Sequence, residues 1–254
     1  MHCQLEYLAR CLPGRIQHAL DELPSTLDET YERTLQEIDG TNWEFARRLL
    51  HCVAVVSRPL RVEELAEFLA FDFNAGQIPK YCKDWRLEDP VDAVLSTRST
   101  LLSLVNAQNS RVIQFSHFSA KEFLTSSRFV KKSNTISSRY HVSMTPAHTL
   151  VAKACLGALL HLDKDVISRT LLNFLLAIYA AEHWFEHARF EGLSQYVEEG
   201  MSQMFDWRKP HFQFGSGYAR QLVLSGSNTL GEMHRRHPVE LRYTSPGFAA
   251  FTTL

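Results

Sequence analysis

Two β-rich runs set within an otherwise helical pattern constrain this chain more than any other feature. Leu101-Leu102-Ser103-Leu104-Val105 and Arg111-Val112-Ile113-Gln114-Phe115 flank a polar stretch, residues 106–110, which is the signal of a hairpin. Three helical segments precede it. Trp43, Ala46, Leu50 and Val53 mark one face of the first, widened by Leu49 and Val56, and Arg58-Pro59 breaks it. Val62, Leu65, Ala66 and Leu69 start the second. Residues 74–90, with Gly76, Pro79 and Pro90, read as loop, and a short third helix runs from Val91 to about Thr97. Helix, helix, helix, hairpin is the order of a winged helix, expected over residues 42–130.

The flanks read as helical. Ser25 and Thr26 are candidate caps with Asp28 and Glu29 as box partners, and Leu27, Tyr31, Leu35 and Ile38 recur at helical spacing up to Gly40. Leu5 to Cys11 and Ile16 to Leu23 look like two shorter helices around Pro13-Gly14. Nothing before Met1 closes a domain, so residues 1–41 are expected to finish a larger helical unit. Downstream, Lys131 to Val142 is polar and serine-rich and reads as a linker. Thr145-Pro146 then places a cap and a first-turn proline before a helix. In that helix Ala147, Leu150, Val151, Ala154, Cys155, Ala158 and Leu159 form a broad face of small apolar residues, which predicts close helix packing. Leu171 to Phe190 adds one long or two abutting helices, so residues 143–206 are expected to form a helical bundle. Residues 207–254, rich in Gly, Ser, Thr and Phe, lack periodicity and read as a weakly ordered tail. The predicted fold class is mainly α: a winged helix with one small β-hairpin, followed by a helical bundle.

Composition narrows the function. A hydrophobic content of 45% with 22% charged residues predicts a packed core. The formal net charge of −1 argues against a surface built for phosphates or an anionic membrane. The 5 cysteines are widely spaced and form no C-x-x-C pair, which favours a reducing compartment. The N-terminus lacks a signal-peptide layout, and the most apolar run, Leu171 to Ala181, is well short of the ~20 residues that span a bilayer. A cytoplasmic protein with no membrane and no nucleic-acid partner is expected. No Gly-Lys pair occurs, hence no P-loop, and no G-x-S-x-G elbow either. An enzymatic role is therefore not expected.

Two motifs hint at other chemistry. His183-Trp184-Phe185-Glu186-His187 matches the H-x-x-E-H pattern of zinc hydrolases, with two histidines on one helical face and Glu186 as a base. It lies among Tyr179, Trp184, Phe185 and Phe190, where histidines usually pack, so no metal site is expected. A winged helix also raises a DNA reading, but the approach to its third helix, Glu88-Asp89-Pro90-Val91-Asp92, is acidic.

The most informative segment is Phe115-Ser116-His117-Phe118-Ser119-Ala120-Lys121-Glu122-Phe123-Leu124. A strand ends at His117 and a helix follows, with Ser119 the expected N-cap, Glu122 its box partner, and Phe115, Phe118 and Phe123 anchoring the junction in the core. Periodicity by itself reads His117 as a packed histidine. The segment resembles the F-x-H-x-S-x-x-E-F-L signature in the winged helix of NACHT proteins, signal-transducing NTPases that include NOD-like receptors. The resemblance is most specific to fungal NACHT–ankyrin proteins. Leu23 to Tyr31, Arg58 to Leu69, Ile78-Pro79-Lys80 with Asp84-Trp85-Arg86, Pro146 to Gly157, and Tyr179 to Phe190 extend it.

The resemblance implies a middle region, after a NACHT ATPase core and before ankyrin repeats. Residues 1–41 would end the helical domain that follows the core, and 207–254 would lead toward the repeats. It implies a regulatory, non-catalytic segment whose partners are the NACHT core, ankyrin repeats or related family members. It also implies that His117 reaches the β-phosphate of ADP held by the core. The chain is expected to bind no cofactor itself, meeting ADP or ATP only through that core.

Overall fold

The structure, a computed structural model, describes residues 26–206 apart from 39, 87, 96–100, 108–109, 133, 162–173 and 205, as well as 12 and 14. The two helices expected before residue 23 and the tail after 206 lie outside the described residues.

Helix α1, Leu27–Gln36, begins with the expected capping box. Thr26 Oγ1 accepts from the Glu29 N–H at 3.2 Å, and the Glu29 carboxylate accepts from the Thr26 N–H at 3.3 Å. Its buried side carries Tyr31 and Leu35. Helix α2, Trp43–Val55, buries Ala46, Leu49, Leu50 and Cys52 and ends in extended backbone at Val56, just ahead of Pro59. Helix α3, Val62–Leu69, places Val62, Leu65 and Phe68 in the core.

The hairpin is present and longer than expected. Strands β4, Leu102–Ala107, and β5, Ser110–Phe115, pair antiparallel from Leu102 opposite Phe115 to Ala107 opposite Ser110. Most of the polar stretch 106–110 is therefore strand, leaving only two residues to connect the pair. A third strand completes the wing: β1, Leu60–Arg61, pairs with β5 and gives the order β1-β5-β4. The region read as loop holds β3, Lys80–Tyr81, paired with β2, Phe71–Asp72, and then a 3-10 turn over Lys83–Trp85. Helix α4, Pro90–Leu95, opens where Asp89 Oδ1 accepts from the Val91 and Asp92 amides at 2.7 and 3.2 Å.

After β5 come α5, Phe118–Thr125, α6, Ser127–Lys131, and α7, Thr135–Tyr140. The last lies in the segment read as a linker. Its polar residues are caps: Asn134 accepts from the Ser137 amide at 2.7 Å. Tyr140 and Val142 are buried, and the Val142 N–H donates to the Leu124 carbonyl at 2.9 Å. Helices α8, Met144–His161, α9, Leu175–Ala188, and α10, Ser194–Met204, form the bundle. The expected face of α8 is buried at Ala147, Val151, Ala154, Cys155 and Ala158, and beside it a Cβ at Gly157 would lie 2.8 Å from the Pro79 carbonyl just before β3. One core joins both parts, running from Tyr31, Leu50, Leu65, Phe68 and Ile113 through Phe123 and Tyr140 to Val151, Cys155, Leu176 and Tyr179. The fold is mainly α. No helix among the described residues is long and apolar enough to cross a membrane.

Candidate functional site

At the start of α5 the N-cap is His117 itself, and the Ser119–Glu122 box expected there does not form. His117 has extended backbone, and its Nδ1 accepts from the Ser119 N–H at 3.3 Å. Ser119 Oγ lies 2.6 Å from the same nitrogen and 2.6 Å from Tyr31 Oη. Tyr31 is buried in α1 with its ring against Phe123, 5.4 Å between centroids. A chain of polar atoms therefore runs from the core to an exposed imidazole. His117 is not the packed histidine that periodicity suggests. Of the three phenylalanines expected to anchor the junction, Phe123 is buried and Phe115 half-buried, while Phe118 is 70% exposed. Starting the helix two residues early turns Phe118 outward beside His117.

The H-x-x-E-H pattern resolves differently. His187 on α9 is only 1% exposed. Its Nε2 lies 2.8 Å from Tyr179 Oη and its Nδ1 3.0 Å from His148 Nδ1 on α8. The Ser57 N–H donates to Tyr179 Oη at 3.1 Å. One proton order satisfies the row: Tyr179 donates to His187 Nε2, and His187 Nδ1–H donates to His148. Both ring nitrogens of His187 are thus used inside the protein. His183 lies with its Nδ1 3.3 Å from the Glu186 carboxylate and its ring 4.8 Å from that of Tyr179 between centroids. Burial, with the nearby His148 charge, lowers the His187 pKa to about 4. Burial also pushes the Tyr179 hydroxyl well up. Among the described residues no three His, Cys, Asp or Glu side chains converge as metal ligands.

A family model described as the winged helix domain of GPI inositol-deacylase matches residues 31–135. That interval starts at Tyr31, contains the wing and His117, and ends at the first residue of α7.

This chain carries a winged helix domain.

The azaphilone pigments biosynthesis cluster protein L of Monascus ruber is 30% identical over 204 residues, which is 76% of this chain and 42% of that protein. The chain thus spans about two fifths of the length of the curated relative it matches. No solved structure matches it.

Two carboxylates fasten the winged helix domain to α9, and the helical pattern of α3 did not single them out. Glu64, 0% exposed, receives Arg58 through both oxygens, at 2.8 and 2.9 Å, and accepts from the Arg61 amide at 2.8 Å. Burial alone would raise its pKa, but the Arg58 and Arg61 contacts hold it below the ordinary value. Arg58 also lies over the Tyr179 ring, 5.0 Å from its centroid, and 3.8 Å from Glu182 on α9. One turn along α3, Glu67 accepts from the Leu176 N–H at 2.7 Å, satisfying an orphan donor at the start of α9, and faces Arg86 at 3.3 Å. Burial raises the Glu67 pKa. The signal was present: Glu64 and Glu67 share the face that carries Leu65 and Phe68, and a carboxylate there is buried with a partner.

Proposed function

We propose that this chain is a non-catalytic regulatory segment of a cytoplasmic, NACHT-type nucleotide-dependent signalling protein of fungal NACHT–ankyrin kind. In this reading it couples the nucleotide state of an ATPase core to a sensor region such as ankyrin repeats, and works through packing. His117 meets the β-phosphate of ADP on the core and holds the resting arrangement. Loss of that contact on exchange releases it. The observation that carries the reading is the exposed His117 ring, held through Nδ1 at the start of α5, with the exposed Phe118 beside it. The signature around His117 and the winged helix match support it. The free, buried thiols of Cys52 and Cys155 fit a reducing compartment. A nucleic-acid role finds less support, because α4 opens on Asp89 and Asp92.

The test pairs the chain with a separately produced NACHT ATPase domain from a fungal NACHT–ankyrin protein, and reads binding by calorimetry with and without ADP. The expected result is ADP-dependent binding that His117→Ala weakens by about tenfold or more, one charge-assisted hydrogen bond. Binding that ignores both ADP and His117→Ala refutes the reading.

A further inference from the structure

We infer that Tyr31 and Ser119 are positioning residues that bias neutral His117 toward the Nε2–H tautomer, making it a donor to a phosphate oxygen and disfavouring it as a metal ligand. The inference rests on the function proposed above, and deepens it by naming what the imidazole can recognise and which groups decide that.

The direction of each proton follows from the contacts. A backbone N–H can only donate, so the 3.3 Å contact from Ser119 N makes His117 Nδ1 an acceptor. A buried tyrosine hydroxyl needs an acceptor for its proton, and among the described residues Ser119 Oγ, 2.6 Å away, is paired with it. With that oxygen accepting from Tyr31, the serine proton is directed to His117 Nδ1, 2.6 Å away. The reverse order strands both the Tyr31 hydroxyl proton and the Ser119 N–H. Nδ1 carries no proton in the consistent order, so the neutral ring carries it on Nε2. That nitrogen has no lone pair for a cation and one N–H for an anion. The chain also joins two segments 88 residues apart, on α1 and α5. Local sequence cannot suggest such a link.

The experiment uses the full chain labelled with 15N-histidine and reads multiple-bond 15N–1H spectra at alkaline pH, with His117→Gln assigning the ring. His117 is expected to show an unprotonated Nδ1 and a protonated Nε2. Tyr31→Phe, which keeps the ring against Phe123, lowers the tautomer ratio by about fivefold, the worth of one hydrogen bond. Ser119→Ala lowers it further, and Ser119→Thr restores it. The buried His187 ring gives an internal signal that each variant is folded. A protonated Nδ1 in the unaltered chain, or an unchanged ratio in folded Tyr31→Phe, overturns the inference. If the ratios respond as expected while His117→Ala leaves ADP-dependent binding intact, the positioning stands and the proposed function fails.

Discussion

His117 at the start of α5 and His187 near the end of α9 both sit in short motifs that invite a chemical role, and the protein treats them in opposite ways. Each has an imidazole nitrogen in hydrogen bond with a hydroxyl that reaches into the core: Ser119 and then Tyr31 for one, Tyr179 for the other. The difference lies in the second nitrogen. In His187 it is taken by His148, and the ring is sealed between two helices. In His117 it belongs to an exposed ring. A histidine in a motif can act on a partner only if the fold leaves it a nitrogen, and among these two that is His117.

The sharpest way to break this contrast is acid. His51 and His187 are buried, and burial, with Arg47 beside one and His148 beside the other, lowers both to about 4. Unfolding frees them to bind protons at the ordinary histidine value. The unfolded state therefore holds more protons between about pH 6.5 and pH 4, and stability falls as pH drops through that window. The loss is on the order of 3 kcal/mol for each ring, read as midpoints of urea unfolding against pH. A flat profile removes the inward assignment of His187.

The next largest effect lies in the same inward region. Glu64→Ala leaves Arg58 and Arg61, both partly in water, without their shared carboxylate and is expected to lower stability by roughly 2–3 kcal/mol, again by urea unfolding. His187→Phe keeps an aromatic ring but strands the Tyr179 hydroxyl, costing about 2 kcal/mol and removing about half of the acid dependence. His117→Ala closes the series: it loses one N-cap contact and costs about 1 kcal/mol or less. An effect of His117→Ala as large as that of His187→Phe would erase the distinction between the two rings.

Much of the fold was legible because it rests on local rules. The Thr26–Glu29 box, the three helices before the hairpin and the small-residue face of α8 all follow from caps and periodicity. Strands β1, β2 and β3 escaped because two residues carry no period; pairing with distant segments defines them. Residues 131–142 looked like a linker because Ser and Asn serve loops and caps alike, and only the burial of Tyr140 decides between them. At the site, His117 itself was visible, but its role as the N-cap was not, since histidine is outside the usual set of capping residues. Tyr31 was hidden for a different reason: its tie to Ser119 is a tertiary contact.

The most direct test follows deuterium exchange at the histidine C2–H positions, by peptide mass spectrometry, in the free chain and on an ADP-loaded NACHT ATPase domain. The account predicts rapid exchange at His117 in the free chain, slowed by about tenfold in the complex, with His187 slow in both. His117 already protected in the free chain, or unaffected by the ADP-loaded partner, would contradict it.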